Sequence, residues 1–431
     1  MQTQISHWPF RIFWTFIVLL TFAIAFLSQA NMQADPVDYY TNLQKIVANE
    51  DQPLMPNSHF ADQRSPGYSL LSVPMYYTLQ YLISPLGNTI LDPNGMKLLL
   101  LPPGPTAPGQ QDTSSERPER REFVSVKDMF FTDFDLREPS GTIRWTLFGA
   151  LILTSFVFLY IGIFALRSTL KLIDNRRKWL LLIPVIIIGS PFILFNIFLS
   201  PAYPTLTSFG MSALFAYFFV KGFDRETSWL PFWAGLCAGT MVLIRLEASV
   251  FVIALMLMLT LQKKWQFLLR FIGGGLITVG VLALYNMALY GTPIHLEILR
   301  GDINKMVLNA PYLFDALLHP ASGILYWSFF VVVGLIGLFV GRNRMLQTLG
   351  IASIALLLLY CLKVPVMYLC VGQGVEDLGN GILLGCLPNA TAARGLVQND
   401  MNRYIVVLAP FAVLGLQQLL LWKAHRKKKN A

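Results

Sequence analysis

The sequence predicts an all-α, polytopic membrane protein of about ten transmembrane helices, N-in/C-in, with a long external first loop containing amphipathic surface helices. Three observations carry that reading. Of 431 residues, 55% are hydrophobic and only 13% charged; apolar stretches of span length recur along the chain; and basic residues gather in alternate turns. A chain so poor in charge uses lipid as its solvent. Nearly uncharged stretches of about 20 residues, enough to cross roughly 30 Å of hydrocarbon as helix, occur near 12–30, 142–166, 179–199, 203–220, 229–244, 247–262, 265–290, 322–340, 346–366 and 403–422.

The formal net charge of +9 does not imply a nucleic-acid partner, because Lys and Arg sit mainly in short turns, where they set topology. With the N-terminus cytoplasmic, the inside segments are Arg167 to Lys178 with five Lys and Arg, Lys221 to Arg225, Lys263 with Lys264, Arg342 to Arg344, and the basic tail 423–431, KAHRKKKNA. The first loop, 31–141, holds 8 Lys and Arg against 14 Asp and Glu, a balance of −6, which fits an external position. Two further external loops cover 291–321 and 367–402, so the domain picture is one transmembrane domain, 1–422, followed by the tail.

Hydropathy alone would make 67–87, GYSLLSVPMYYTLQYLISPLG, another span. Counting it would invert every later segment and place the basic turns outside. It is read instead as one or two helices on the outer leaflet, with Pro74 and the tyrosines at headgroup depth. The first span is read as retained. Ser28-Gln29-Ala30 resembles a leader cleavage site, but the apolar core 12–27 exceeds the usual h-region of about 7–15 residues.

Residues 101–121, LPPGPTAPGQQDTSSERPERR, are rich in Pro, Gly and charge and read as a flexible excursion. Cys237 and Cys361 fall within spans as packing residues. Cys370 and Cys386 flank an external loop, where they are either free thiols or a bridge worth around 3 kcal/mol. Gly235-x-x-x-Gly239 and the GGG of 273–275 lie in apolar spans and are read as close helix packing. GQGVEDLGNG, 372–381, lacks the βαβ context of a phosphate loop. No fixed-period repeat and no inverted pair of broken helices is seen.

The chemistry-bearing candidates are expected on the external face. Asp35 and Asp38 end the first span in ADPVDYY, Arg64 opens RSPGY with Tyr68, Arg245 and Glu247 occupy the turn in VLIRLEASV, and Arg403 begins the last span in NDMNRY. Taken singly, each has a structural explanation as span-ending acid, snorkelling Arg or turn ion pair. Together they are unexpected, because charge near hydrocarbon costs several kcal/mol unless paired or used. A carboxylate can take a proton from an incoming hydroxyl, and Arg can hold a phosphate through two parallel charge-assisted bonds. That combination suits sugar transfer from a phosphate-linked polyprenol. A divalent ion, Mg or Mn, could bridge carboxylates and phosphate, although His59, Asp62, His295, Glu297 and His319 show no recognised metal spacing. Asp133, Asp135 and Glu138 either supply a second acidic group or solvate the loop.

These stretches resemble those of the GT-C superfamily of membrane glycosyltransferases, including protein O-mannosyltransferases and aminoarabinose transferases. DPVDYY is similar to its D-x-x-x-Y pattern, RSPGYSLLSVPMYYTLQYLISPLG to its R/K/H-x-P-G-Y surface helix, and IRLEASVFVIAL to its R-P-E-G-L-L-L hairpin. YNMALYGTPI is similar to its N-x-x-x-x-G-x-P span exit, and NRYIVVLAPFAVL to its R-Y-x-x-x-x-x-P-F. The motifs are short and degenerate, so their order and topology carry the match over 31–415. Leu246 stands where the hairpin usually has proline, and Ala248 where it has glycine.

The resemblance implies that Asp35 is the catalytic base, with Asp38 as a helper or metal ligand. It further implies surface helices shaping the site, a polyprenyl-phosphate sugar as donor, inversion at the anomeric carbon, and a bacterial inner-membrane location with the site facing outside. The acceptor would be a lipid, glycan or protein hydroxyl, with a small or membrane-embedded one favoured by the short basic stretch after the last span. The rivals are a transporter or flippase, for which Lys363 is the main in-span charge; a glycan ligase or polymerase, which would carry its largest external loop late in the chain; and a non-catalytic assembly partner.

Overall fold

The computed structural model describes residues 35–47, 65–83, 97–99, 123–125, 133–135, 142–198, 201–294, 318, 324–340, 343–362 and 405–430. In the first loop these form α1 (Asp35–Val47), α2 (Gly67–Thr78) running into a π-helical turn (Leu79–Ile83), and four strands, β1 (Lys97–Leu99), β2 (Phe123–Ser125), β3 (Asp133–Asp135) and β4 (Thr142–Arg144). The helices that follow are α3 (Trp145–Ile173), α4 (Leu182–Ile188), α5 (Pro191–Phe198), α6 (Thr205–Gly222), α7 (Leu230–Ile244), α8 (Ala248–Leu261), α9 (Trp265–Tyr290), α10 (Phe329–Val340), α11 (Arg344–Leu362) and α12 (Ala409–Asn430).

Four helices among the described residues are long and apolar enough to cross a membrane: Leu147–Ile173, Trp265–Tyr290, Arg344–Cys361 and Val406–Arg426. The chain is therefore a helical membrane protein. Trp179–Ile188, Leu230–Ile244, Ala248–Leu261 and Phe329–Val340 are shorter apolar helices. Helix is present at every predicted stretch from 142 onward, while 12–30 lies outside the described residues. The stretch at 179–199 is broken: α4 ends at Ile188 and α5 begins at Pro191, since proline offers no N–H and its ring clashes with the preceding turn. Lipid as solvent is visible on α8, which buries Phe251, Leu255 and Leu259 yet exposes Ile253, Leu257 and Leu261. A helix in water would make that second face polar.

Two antiparallel ribbons, β1 with β2 and β3 with β4, occur in the first loop of this otherwise helical chain. Strands of three residues are too short to show an alternating pattern in sequence. The segment 67–87 is helical as far as Ile83. At 12 residues α2 is too short for a span; Pro74, Tyr77 and Tyr81 are exposed on it and the turn after it, while Tyr68, Ser69, Ser72 and Leu79 are buried. The rings of Tyr77 and Tyr81 stack at 5.8 Å. Cys237 and Cys361 are buried free thiols; Cys370, Cys386, Lys363 and the stretches 101–121 and 372–381 lie outside the described residues.

The chain divides into two compact units, one comprising Met1–Ala61, Ser69–Thr154 and Phe198–Ala202, the other Asp62–Tyr68, Ser155–Ile197 and Tyr203–Ala431. In the first, Tyr40, Leu43, Leu147, Phe148 and Leu151 are almost wholly buried, and the Ser69 hydroxyl donates to the Tyr39 carbonyl at 2.8 Å.

The second unit is centred on Phe215. Its ring lies 5.5 Å from Phe219, 5.5 Å from Phe251, 6.0 Å from Phe411 and 6.4 Å from Phe271, while Phe251 and Phe411 stack at 5.0 Å. Between helices in lipid there is no hydrophobic drive, so shape decides packing. A Cβ at Gly235 would strike the Phe271 carbonyl, one at Gly239 the Thr278 side chain, and one at Gly274 the Phe232 carbonyl. Gly235 and Gly274 let α7 and α9 touch backbone to backbone, and Gly239 makes room for the Thr278 side chain. Of the GGG run only Gly274 is used in this way: a Cβ at Gly273 would meet nothing nearer than the Phe232 ring at 3.9 Å.

The turns of this unit sort by charge. Lys264 donates to the Phe223 carbonyl at 2.9 Å and pairs with Glu226 at 2.8 Å, and Arg270 reaches the Ser228 carbonyl at 2.6 Å. Gln262 donates to Thr348 at 2.7 Å, and Gln417 to the Leu170 carbonyl at 3.0 Å. The helix ends that carry Lys171, Lys221, Lys263 and Arg344 consequently share one end of the unit. In the neighbouring turn, Arg176 lies 2.5 Å from Asp174, and its hydrogen bond lowers that carboxyl to about 2.

At the far end of α9, Gly291 closes the helix at φ 70, the left-handed region that glycine enters without penalty. The Asn286 amide donates to the Pro293 carbonyl at 3.2 Å. The N-x-x-x-x-G-x-P stretch is thus a helix stop.

Replacing Gly235 by Ile should force α7 from α9 and cost about 1–3 kcal/mol, read as a lowered Tm of the purified chain in detergent. Gly273→Ala, with nothing to strike, should leave Tm unchanged.

Candidate functional site

The candidate site is built around the turn between α7 and α8. The apolar run of α7 ends at Ile244, and Arg245 leaves in extended conformation, φ −143 and ψ 111, with its N–H still bonded to the Met241 carbonyl. Three residues later the next helix has begun: Ala248 N–H bonds the Arg245 carbonyl at 3.0 Å and Ser249 N–H the Leu246 carbonyl at 2.9 Å. Arg245 is 8% exposed and Glu247 6%, and both side chains are partnered. The sequence reading had the cationic groups exposed at the leaflet; Arg245 is buried.

Part of the reason is the segment of the first loop seated on this turn. The Ser65 hydroxyl donates to the Leu243 carbonyl, 178 positions away. Leu243 lies in the last turn of α7, whose carbonyls have no partner within the helix, so Ser65 satisfies one of them from outside. Gly67 lies against the same backbone: a Cβ there would collide with the Leu243 carbonyl and come within 2.7 Å of Ile244 N. The P-G of RSPGY is a close-approach element, and glycine is needed there for lack of room.

Tyr68 is fully buried. Its hydroxyl lies 2.9 Å from Ser155 Oγ, and Ser155 Oγ donates its one proton to the Tyr203 carbonyl at 3.1 Å. Tyr68 is therefore the donor to Ser155. This chain of hydroxyls fixes the backbone two residues ahead of α6, and Tyr68 acts in it as a strut. The α7–α8 turn and the start of α6 lie at the end of the unit opposite the basic turns, since α6 and α7 run antiparallel with Gly222 against Leu230 and Pro231.

In the other unit, Asp35 opens α1 and Asp38 falls in its first turn, where carboxylates favour the positive end of the helix dipole. Tyr39 and Tyr40 are buried, so the two tyrosines after the acids pack within the protein. Arg64, Arg403, His59, Asp62, Glu138, His295, Glu297 and His319 lie outside the described residues. Asp133 and Asp135 are backbone-paired with Arg144 and Thr142 in the second ribbon. Among the described residues no three His, Cys, Asp or Glu side chains converge as a metal-binding group.

Sequence reasoning passed over Ser65, Gly67 and Ser155, and also Thr205 and Thr207, which are buried at the start of α6. The signal for Ser155 was present: Thr154-Ser155 is a polar pair inside the apolar stretch 142–166.

Gly67→Ala should unseat the loop from the α7–α8 turn. Amide exchange over 65–78 is expected to rise by about tenfold, the overpacking cost expressed as an opening equilibrium. Ser65→Ala, which removes one hydrogen bond and adds no atom, should raise it less.

Compared with known proteins, the chain matches no protein-family model, no curated protein and no solved structure.

Proposed function

We propose that this chain is an integral-membrane glycosyltransferase of the GT-C kind, moving a sugar from a polyprenyl-phosphate donor to an acceptor hydroxyl on the external face with inversion. The observation that supports it most is the seating of Ser65 and Gly67 on the last turn of α7. Two stretches singled out in sequence for handling a sugar phosphate, one from the first loop and one from the α7–α8 turn, are contiguous within one unit.

In this reading the Asp35 carboxylate takes the proton of the acceptor hydroxyl as its oxygen attacks the anomeric carbon. The bond from that carbon to the phosphate oxygen breaks, and its electron pair leaves with the polyprenyl phosphate. Arg64, Arg245 and Arg403 supply positive charge toward the phosphate; Tyr68 and Glu247 hold the framework around Arg245, and Asp38 assists Asp35 or binds a divalent ion. The donor is lipid-linked because nucleotide sugars are not at hand outside the membrane. The acceptor belongs to a lipid, glycan or protein.

The gathering of Lys171, Lys221, Lys263 and Arg344 at one end of the second unit favours the N-in/C-in arrangement of about ten spans, by the positive-inside rule. The α7–α8 turn then faces outward.

Asp35→Asn should retain expression and membrane insertion yet lose transfer by about 10²–10⁴-fold, the usual contribution of a positioned base. Mass spectrometry of the purified chain with a panel of polyprenyl-phosphate sugars measures it, and full activity in the variant removes Asp35 from the role. For topology, cysteines placed at Arg225 and at Thr292 in a background without native cysteines should label from opposite sides of sealed vesicles; labelling from one side would overturn the arrangement.

A further inference from the structure

The start of α6 contains buried polar groups that nothing in the described structure satisfies. Thr205 and Thr207 are 1% and 0% exposed, and neither hydroxyl has a hydrogen-bond partner. An unpaired hydroxyl in a protein interior is destabilising, and in helices threonine ordinarily escapes by bonding the carbonyl four residues back. Thr154, Thr169, Thr240, Thr260 and Thr348 all do so here. Thr205 and Thr207 do not.

Their position explains what such hydroxyls are suited to hold. The residue that precedes the helix is Pro204, which makes no side-chain cap. The first N–H of α6 to find a backbone acceptor outside the regular helix pattern is that of Ser208, on the Pro204 carbonyl at 2.8 Å. The N–H groups of Thr205, Leu206 and Thr207 are thus the open donors of a helix N-terminus, backed by the positive end of an 18-residue dipole. Side chains on a helix lean toward its N-terminus, the end at which these donors open. Ser155, itself held by Tyr68, clamps the Tyr203 carbonyl just ahead and so fixes the entry to the turn.

We propose that the first turn of α6 is an anion subsite, in which the Thr205 and Thr207 hydroxyls and the open backbone N–H groups bind a phosphoryl group. All the donors are neutral, so the subsite binds without a lysine or arginine of its own. Applied to the transferase reading above, on which this step rests, the phosphoryl group is that of the polyprenyl-phosphate lipid.

The test titrates the purified full-length chain in detergent with polyprenyl phosphate, with the uncharged polyprenol of equal length, and with inorganic phosphate as competitor. Binding is followed by tryptophan fluorescence, and Tm is taken without ligand. Thr205→Val with Thr207→Val keeps the side-chain shape and removes both hydroxyls. It should weaken polyprenyl-phosphate binding about tenfold or more, bring it toward that of polyprenol, and leave the ligand-free Tm equal or higher. Thr205→Ser with Thr207→Ser should retain binding, and serves as the comparison if the valine pair folds poorly.

Parallel weakening of inorganic phosphate assigns the subsite to phosphate generally, whereas weakening confined to the lipid assigns it to the lipid headgroup; either supports it. Unchanged affinity in the valine pair overturns the proposal. So does a lowered ligand-free Tm with unchanged affinity, the behaviour of hydroxyls that hold structural water. Since no sugar moves in this titration, a chain that binds polyprenyl phosphate through these hydroxyls yet transfers nothing keeps the subsite and loses the transferase reading.

Discussion

Lipid provides no hydrophobic reason for one apolar helix to prefer another, and the described architecture depends on what replaces it. Contact at van der Waals distance is the only large attraction left, and it falls off steeply with separation. The second unit therefore brings backbones together at glycine, Gly235 and Gly274 between α7 and α9 and Gly334 and Gly415 between α10 and α12, and fills the space around Phe215 with rings from four other helix positions. Polar groups then act by direction. Lys264 and Arg270 tie turns together at one end, and the Tyr68–Ser155–Tyr203 chain ties the other.

The two ends are held in different ways. At the basic end the charges find carbonyls or a carboxylate, as Lys264 does with both Phe223 and Glu226, and a water-exposed surface suits them. At the opposite end Arg245 and Glu247 are buried and partnered, and the hydroxyls of Ser65, Tyr68 and Ser155 tie the neighbouring backbone. A neutral hydroxyl network can fix backbone without adding net charge.

Much of this was legible in the sequence, and what was not has identifiable physical causes. Helix positions from 142 onward follow from apolar length, and the packing role of Gly235 and Gly239 follows from small residues one turn apart. Pro191 splits one predicted stretch because a proline inside an apolar run has no hydropathy signature. The ribbons escaped because three residues carry no periodicity. At the site, the identity of the α7–α8 turn was readable from VLIRLEASV, but the partner of that turn was not. Ser65 and Gly67 meet Leu243 across 178 positions, and a contact so distant is a property of the fold. Likewise, buried hydroxyls without partners cannot be seen in a string of letters, because Thr205 looks the same in sequence as Thr260, which bonds back to its own helix.

The motif residues divide by what their atoms do. Gly67 makes room for a backbone, Asn286 and Gly291 stop a helix, Phe411 stacks on Phe251, and Tyr68 braces Ser155. Each of these contacts would serve a membrane bundle of any activity, so the letters that perform them report architecture. The remaining motif letters are charged: Arg245 and Glu247 are buried and partnered, Asp35 and Asp38 stand in the first turn of α1, and Arg64 and Arg403 lie outside the described residues. Framing residues and reacting residues fail differently when replaced. A framing residue loses stability and activity together, whereas a base such as Asp35 would lose activity with the fold intact, because a first-turn carboxylate contributes only about 0.3–1 kcal/mol to its helix and far more to a proton transfer. The charged positions would carry the chemistry, and framing contacts such as those of Ser65 and Gly67 on α7 bring two of their stretches together.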